Sequence, residues 1–150
     1  MGSDKMNNSK SIEKYYDNTE SDIPRDNVKY FIEEIKSNPN NAIELGCGAG
    51  NDTVYLIKNN YNVLAIDRED VEERISRRLN KEELEKFRFQ KQDFETLKLE
   101  KSNLIVANYS LPFCNKSKFK QLWNNINKNI LPNRTLCWQL LWCKWWMESN

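Results

Sequence analysis

Apolar residues along the chain alternate between helical spacing and short apolar runs. Helical spacing predicts helices that contain residues 28–35, 54–57, 71–79 and 115–130. Short continuous or alternating runs predict strands at residues 41–45, 62–66, 87–91, 104–107 and 135–142. Because predicted strands and helices alternate, we expect one α/β domain with a doubly wound, mostly parallel sheet of about five strands.

The carboxyl ends of the predicted strands are where a ligand is expected. In open parallel sheets, ligands bind in the crevice beyond those ends, where the winding direction reverses. The first four strands end at Leu45, Ile66, about Gln92 and Asn108. Each of these ends is followed by a candidate ligand contact, so the functional site is sought there.

The sequence after the first strand suits the close approach of a ligand to the main chain. Residues 43–50 read Ile-Glu-Leu-Gly-Cys-Gly-Ala-Gly. Glycine adopts positive φ and has no Cβ, and a helix that begins near Asp52 directs free N–H groups into the same space. A dinucleotide fingerprint, G-x-G-x-x-G, requires glycine where this chain has Asn51. An NAD-type domain is therefore disfavoured.

The motif Glu-Leu-Gly-Cys-Gly-Ala-Gly resembles the first motif of class I S-adenosylmethionine-dependent methyltransferases. Residues 108–113, Asn-Tyr-Ser-Leu-Pro-Phe, are similar to the corresponding segment of the tellurite-resistance and thiopurine methyltransferase group. The resemblance covers residues from about 15 to 132. It implies a Rossmann-like class I fold, S-adenosylmethionine as the cofactor and methyl transfer to a small-molecule acceptor. The chain then divides into a mobile N-terminal segment (1–26), a cofactor-binding domain (27–134) and a Trp-rich tail (135–150).

Candidate cofactor contacts follow from this resemblance. Asp67 lies 21 residues after Gly46, close to the spacing of about 20 residues at which an acid binds ribose hydroxyls in related folds. Asp93 matches the acid that accepts from the adenine amino group, and Phe94 matches the neighbour that packs against the ring. The predicted cofactor contacts are Glu44, Gly46, Cys47, Gly48, Gly50, Asp67, Arg68, Asp93, Phe94 and Asn108.

The predicted acceptor side consists of Tyr16, Arg25, Tyr109 and Ser110. The apolar and aromatic loop after the fourth strand favours a small, partly apolar acceptor. Structural alternatives remain open. Asp67 is also a candidate helix cap, and Asp93 is also a candidate turn residue. Residues 108–113 also fit an ordinary strand exit, and Tyr15, Tyr16 and Arg25 also fit a purely structural role that attaches the mobile N-terminal segment. Since histidine is absent, no general base is assigned.

Composition narrows the classes of function. With 23 basic and 22 acidic residues the net charge is +1, so no nucleic-acid partner is expected. Four cysteines without a C-x-x-C pair, and no histidine, predict no metal site. The polar N-terminus contains no apolar core of a secretory signal, which favours a reduced, cytoplasmic protein. The alternating acids and bases of residues 68–88 are interpreted as solvated helix surface.

The carboxyl-terminal tail departs from the resemblance. Class I sheets usually have seven strands, whereas at most five are predicted here, and residues 138–146 contain four of the five tryptophans. If the coding strand for residues 142–148 is read one base later, the first codon specifies Gly, the second Val or Ala, and the third Asn or Ser. The next three codons specify Gly, Gly and Trp. Allowed codons for residues 136–142 give Phe-Val-Gly-Asn-Phe-Phe-Gly, which is similar to strand five of the same group. We therefore expect a frameshift near residues 133–135, a truncated fold and impaired activity; a genuine but divergent tail is the alternative.

Three other functions stay open at this point. A non-catalytic fragment would bind S-adenosylmethionine or a nucleotide without methyl transfer. An NAD-type domain would bind NAD instead. A protein anchored by its Trp-rich tail would associate with membranes, although no membrane partner is expected from the rest of the chain. The oligomeric state is not readable from the sequence.

Overall fold

The structure, a computed structural model, describes the backbone of residues 2–35 and 40–139. Its helices are α1 (Gly2–Thr19), α2 (Asp26–Ile35), α3 (Asn51–Lys58), α4 (Glu72–Ser76), α5 (Lys81–Leu84) and α6 (Phe119–Asn129). Its strands are β1 (Asn41–Leu45), β2 (Asn62–Asp67), β3 (Phe87–Lys91), β4 (Ser102–Asn108) and β5 (Ile130–Gln139). Short 3₁₀ turns lie at Phe94–Thr96, Leu111–Phe113 and Lys116–Lys118.

The five described strands form one parallel sheet in the order β3-β2-β1-β4-β5. β1 is central, because Glu44 lies in register with Ala65 of β2 on one side and with Val106 of β4 on the other. The chain winds from β1 towards β3 and then crosses to β4, so the winding direction reverses beside β1. The predicted α/β fold with a parallel sheet of about five strands is confirmed.

Two hydrophobic cores lie on opposite faces of the sheet. Ala42 of β1 belongs to the first core, together with side chains of α1 to α4. The next residue, Ile43, belongs to the second core and lies there with Leu122 and Ile126 of α6. Successive side chains of β1 thus point to opposite faces of the sheet and contribute to both cores. Helices cover both faces of the sheet, as the sequence predicts.

Two predicted helices have different bounds in the structure. The helix expected over residues 71–79 ends as α4 at Ser76. A separate helix, α5, follows because Asn80 and Glu83 form a capping box, in which each side chain binds the backbone N–H of the other residue. The helix expected from residue 115 begins at 119, since Asn115 caps a 3₁₀ turn before it.

The fifth strand begins earlier than predicted. Ile130 lies in register with Ser102 of β4, and the next paired residue, Thr135, lies in register with Leu104. Residues 131–134 are therefore an irregular stretch of β5, where the sequence predicts a turn at 131–133. Such an insertion interrupts a ladder without ending it.

The N-terminal segment is helical, whereas the sequence predicts a mobile segment over residues 1–26. Tyr16 of α1 is buried in the first core. Arg74 of α4 donates hydrogen bonds to Glu13 and Asp17 of α1, at 2.9 and 2.8 Å. These partners lie more than 50 residues away along the chain, and they order a helix whose own sequence is polar.

The remaining domain boundaries stay predictions. Residues 140–150, which contain most of the Trp-rich tail, lie outside the described residues, as does the end of the predicted strand at residue 142. Among the helices that the structure describes, each is too short or too polar to cross a lipid bilayer.

Candidate functional site

Three glycines turn the chain from β1 into α3. Gly46, Gly48 and Gly50 have φ angles of 71°, 52° and 80°, a region that favours glycine. The N–H groups of Gly46 and Cys47 both donate to the carbonyl oxygen of Ile66, at 2.8 and 3.1 Å. The turn is therefore attached to the end of β2, and the sheet fixes its position.

Packing requires two of these glycines. A Cβ at Gly46 would lie 2.3 Å from Cβ of Ser110. A Cβ at Gly50 would lie 2.4 Å from Cγ1 of Ile75. Both distances are far below van der Waals contact, so any larger residue at either position would displace its neighbour.

Gly48 differs, because space remains beside it. A Cβ there would come within 3.7 Å of Tyr16 Cε1, an ordinary contact. The Gly48 N–H donates to Oδ2 of Asp67 at 2.8 Å, and Oδ1 of Asp67 accepts from the Glu69 N–H at 3.0 Å. Asp67 thus lies beside the glycine turn. It does not cap α4, whose N-cap residue is Val71 and which has no side-chain cap hydrogen bond.

A cavity of about 570 Å³ opens between the glycine turn, α1 and the carboxyl ends of β1 to β4. This volume lies within the range of roughly 300–1,000 Å³ that small-molecule sites occupy. Every site residue predicted from the sequence lines it: Tyr16, Arg25, Glu44, Gly46, Cys47, Gly48, Gly50, Asp67, Arg68, Asp93, Phe94, Asn108, Tyr109 and Ser110.

Glu44 is buried next to the glycine turn. The hydroxyl of Thr53 in α3 donates a hydrogen bond to its carboxyl group. Burial raises the pKa of Glu44 well above its usual value, and the negative charges of Asp52 and Asp67 raise it further. The protonated, neutral form of Glu44 is therefore favoured.

The Cys47 thiol and the Tyr16 phenol, which both line the cavity, are not activated. Burial raises the pKa of the Cys47 thiol well above its usual value, and the nearby carboxylates Glu44 and Asp67 add to this effect. Burial also raises the pKa of the Tyr16 phenol above its usual value, and the interaction with Asp67 raises this pKa further. Both groups keep their protons. Within the described part of the chain, no cluster of potential ligands is arranged to hold a metal ion.

The residues after β2 and β3 form the outer wall of the cavity. Phe94 is partly buried against the second core, and its Cζ would lie 3.5 Å from a Cβ at Gly46. Asp93 is exposed. The Arg68 side chain is 61% exposed, and its Nε lies 3.6 Å from Oε1 of Glu69. The wall therefore offers an aromatic surface beside an accessible carboxylate.

A hydrogen-bond network closes the opposite side of the cavity. Oδ1 of Asp52 accepts from the Arg25 N–H at 2.6 Å, and Oδ2 accepts from Nδ2 of Asn108 at 3.0 Å. Asn108 and Asn27 also exchange hydrogen bonds through their side chains, at 2.8 and 3.1 Å. The Arg25 guanidinium lies 4.8 Å from the centroid of the Tyr109 ring. Sequence reasoning missed Asp52, although its position in the first turn of α3 marks it as facing the strand ends.

Ser110 has the one buried side-chain polar atom without a hydrogen-bond partner among the described residues. The residue is 5% exposed and lines the cavity next to Gly46. An unsatisfied buried hydroxyl costs about 1–3 kcal/mol. Such an atom is a natural contact for a bound ligand.

Two further residues attach the N-terminal segment beside the cavity. Oδ1 of Asn51 accepts from the Ser21 N–H at 2.9 Å, and its Nδ2 donates to the Thr19 carbonyl at 2.8 Å. Arg74 donates to Oε2 of Glu20 at 2.6 Å, and its side chain is 11% exposed. The interpretation of residues 68–88 as purely solvated surface is therefore wrong. The sequence signal for the attachment of the N-terminal segment was Asn51, a polar residue at the position where a dinucleotide fingerprint has glycine.

Solved structures with the same fold are methyltransferases. The Burkholderia thailandensis 1,6-didemethyltoxoflavin-N1-methyltransferase, with bound 1,6-didemethyltoxoflavin and S-adenosylhomocysteine, has a TM-score of 0.68 and 19% identity over 85% of this chain and 58% of its own. The glycopeptide N-methyltransferase MtfA has a TM-score of 0.63 and 14% identity over 73% and 50%. The plantazolicin methyltransferase BpumL, in complex with S-adenosylhomocysteine, has a TM-score of 0.63 and 17% identity over 86% and 51%.

At these identities the likeness shows the fold, and the chain spans between half and three-fifths of the length of these three proteins. No curated protein matches the chain. The family model described as tellurite resistance protein TehB matches residues 7–135. Because that match covers most of the sequence, the chain belongs to the TehB family.

Proposed function

We propose that this protein binds S-adenosylmethionine in the cavity beside the glycine turn and transfers its methyl group to a small-molecule acceptor. The observation that carries the proposal is the hydrogen bond between the N–H of Gly48, where a Cβ would meet only an ordinary contact with Tyr16, and the carboxylate of Asp67 in the wall of the cavity. Membership of the TehB family supports it. So do the methyltransferases of the same fold that hold S-adenosylhomocysteine.

The residues of the cavity fit an adenosyl ligand. Asp67 is 8% exposed and lines the cavity, so a ribose diol has access to a carboxylate that accepts charge-assisted hydrogen bonds. Phe94 and Asp93 suit an aromatic base with an amino group. Gly46, Gly48 and Gly50 line the same cavity, and the hydroxyl of Ser110 lacks a partner among the described residues.

S-adenosylmethionine, when bound, supplies a methyl group that its positive sulfur already activates. The protein mainly has to orient the acceptor and exclude water. Tyr16 covers the glycine turn, and its protonated phenol adds no charge.

The acceptor side is proposed at Tyr16, Arg25, Tyr109 and Ser110, which line the same cavity, and Ser110 also borders the cofactor side because it packs against Gly46. Phe113 and Tyr15 also line it and are exposed. Aromatic rings with few charges favour a small, partly apolar acceptor. Asp93, a tyrosine or water remains the candidate for any required base.

A non-catalytic protein that binds S-adenosylmethionine or a nucleotide is the second candidate. Titration calorimetry with S-adenosylmethionine and NAD, on the wild type and on Asp67→Asn, tests binding. The matched control is Asp70→Asn, an exposed carboxylate three residues further on. We expect heat with S-adenosylmethionine, about tenfold weaker binding for Asp67→Asn and no change for Asp70→Asn.

Heat with NAD alone would overturn the proposal. Formation of S-adenosylhomocysteine with a panel of probes, namely tellurite, a small thiol and a small aromatic amine, then separates the two candidates. Binding without product from any member of the panel favours the non-catalytic protein.

A further inference from the structure

We infer that Asp52 is a positioning residue for the acceptor side of the cavity, where it fixes Arg25 and Tyr109 relative to each other. The inference deepens the proposed function and rests on it. Asp52 lies in the first turn of α3 and is 4% exposed. A buried carboxylate is costly unless it is hydrogen-bonded, so its partners explain why it is there.

Both oxygens of Asp52 are used by other segments of the chain. Oδ1 accepts from the main-chain N–H of Arg25, the residue before α2, and Oδ2 accepts from the side chain of Asn108 at the end of β4. The two partners lie 83 residues apart in sequence. One carboxylate therefore joins the start of α2 and the end of β4 at the mouth of the sheet.

Asn108 is held from two directions. Its Nδ2 donates to Asp52 and to Oδ1 of Asn27, and its own Oδ1 accepts from Nδ2 of Asn27. Both of its N–H groups and its carbonyl are thus used within the protein. The predicted role of Asn108 as a side-chain contact to the cofactor is replaced, in this inference, by a role in fixing the backbone that follows it.

That backbone carries a special conformation. Tyr109, directly after Asn108, has a φ of 57°, which is uncommon for a residue with a side chain. Such a conformation persists where the surroundings hold it in place, and it recurs at binding sites. The immobilised Asn108 supplies that constraint on one side of Tyr109.

The two residues that depend on Asp52 meet in the cavity. The guanidinium of Arg25 lies 4.8 Å from the centroid of the Tyr109 ring, within the range of a cation–π contact. One hydrogen bond of Asp52 places the Arg25 main chain, and the other places the residue before Tyr109. Asp52 acts through these two residues, since neither of its oxygens is left without a protein donor.

Replacement by asparagine separates positioning from general stability. In Asp52→Asn, an amide nitrogen, which donates hydrogen bonds, replaces one carboxylate oxygen. Because Arg25 and Asn108 are both donors, one of them then loses its acceptor. The matched control is Asp26→Asn, an exposed acid in the first turn of α2. Asn27→Ala weakens the same network from a half-buried position and serves if Asp52→Asn does not fold.

The first readout needs no ligand. The ring current of Tyr109 shifts the NMR signal of the Arg25 Nε–H, and Tyr109→Leu gives the unshifted reference. We expect Asp52→Asn and Asn27→Ala to move this signal towards the reference and Asp26→Asn to leave it unchanged. An unchanged signal in both network variants would overturn the inference.

The second readout concerns binding and turnover. We expect Asp52→Asn to keep the Kd for S-adenosylhomocysteine within about twofold, while kcat with an accepted probe falls about tenfold or more. An equal loss in both quantities would mean that Asp52 serves the whole cavity and would overturn the inference. If the wild type binds no S-adenosylhomocysteine, the proposed function fails, and the NMR arm still tests the positioning.

Discussion

The main-chain N–H of Gly48 donates to Oδ2 of Asp67 at 2.8 Å, and this bond joins the turn after β1 to the end of β2. The carboxylate therefore has a structural partner as well as access to the cavity. Substitution of Asp67 affects both at once, because it removes an acceptor from the turn and from a ligand. The glycines of the turn separate these effects more cleanly.

Gly48→Ala should weaken ligand binding in a variant that still folds. Its Cβ meets only ordinary contact at 3.7 Å, so the cost to folding is the left-handed conformation of about 1–2 kcal/mol. The same Cβ occupies space beside the main chain where the ligand is proposed to lie. We expect the affinity for S-adenosylhomocysteine to fall about tenfold or more, a loss of about 1.4 kcal/mol, in calorimetry of the folded variant.

Gly46→Ala and Gly50→Ala provide the contrast. Their Cβ atoms would lie 2.3 and 2.4 Å from Ser110 and Ile75, so about 1–3 kcal/mol of overpacking adds to the backbone strain. We expect a clear fall in the urea midpoint for both, and a smaller fall for Gly48→Ala. Equal destabilisation by all three substitutions would contradict the assignment of Gly48 to the ligand.

Ser110→Ala should leave the protein at least as stable as the wild type while it weakens cofactor binding. The Ser110 hydroxyl is buried without a partner among the described residues, so its removal relieves an unmet desolvation cost of about 1–3 kcal/mol. If the bound ligand satisfies this hydroxyl, the variant loses that bond. We expect about three- to tenfold weaker binding of S-adenosylhomocysteine, as for a hydrogen bond of about 0.5–1.5 kcal/mol.

Ser102 supplies the matched control, because its hydroxyl is buried at the other end of β4 and donates to the Asn41 carbonyl at 2.9 Å. Ser102→Ala should lose about 1 kcal/mol in urea unfolding and keep its affinity for the ligand. A Ser110→Ala variant that loses stability without losing affinity would show that the hydroxyl serves the protein alone.

The sheet and the candidate site were predictable because their signals are local. Four of the five residues of β1 are buried and three are apolar, and the glycine turn follows this strand directly. Asp67 and Asn108 end β2 and β4, the strands on either side of β1, so the parallel topology alone brings them to one edge of the sheet. The capping box of Asn80 and Glu83 is equally local, and the sequence N-x-x-E made it readable.

Helix α1 was not predictable in the same way. Its partner Arg74 binds Glu13 and Asp17 from 61 and 57 residues away, and no periodicity of the N-terminal sequence reports such contacts. The side chains of Asn51 and Asp52 also bind the N-terminal segment, at residues 19–25. In the sequence, both look like ordinary first-turn residues of α3. A polar segment is therefore ordered by distant charges, where composition alone favours mobility.

Arg74→Ala should loosen α1 without unfolding the sheet. The Arg74 side chain donates to Glu13, Asp17 and Glu20, and hydrogen bonds between charged groups contribute about 1.5–3 kcal/mol when one partner is removed. We expect hydrogen exchange of the α1 amides to accelerate about tenfold or more, while β1 and β4 keep their protection.

The control for this experiment is Arg68→Ala, an arginine with a side chain 61% exposed and one ion pair to its neighbour Glu69. It should change neither set of amides. Uniform acceleration across α1, β1 and β4 in Arg74→Ala would mean that Arg74 supports the whole domain rather than the N-terminal helix.

Glu44→Gln should become more stable than the wild type as the pH rises. Burial, with the charges of Asp52 and Asp67, raises the pKa of Glu44 above its usual value of 4.5. Between the two pKa values the unfolded chain loses this proton and the folded protein keeps it, so the wild type loses stability with increasing pH. Glutamine remains neutral and still accepts from Thr53.

The free energies of unfolding in urea, measured between pH 4.5 and 8, test this sign. At the acid end the two proteins should agree within about 0.5 kcal/mol, because Glu44 is protonated in the folded protein and still about half protonated in the unfolded chain. Their difference should then grow with pH by at most about 1.4 kcal/mol per unit, the limit for one proton. Glu82→Gln, at an exposed position of α5, should follow the wild-type curve. A Glu44→Gln curve that also parallels the wild type would mean that Glu44 is ionised in the folded protein, and that its negative charge faces the ligand directly.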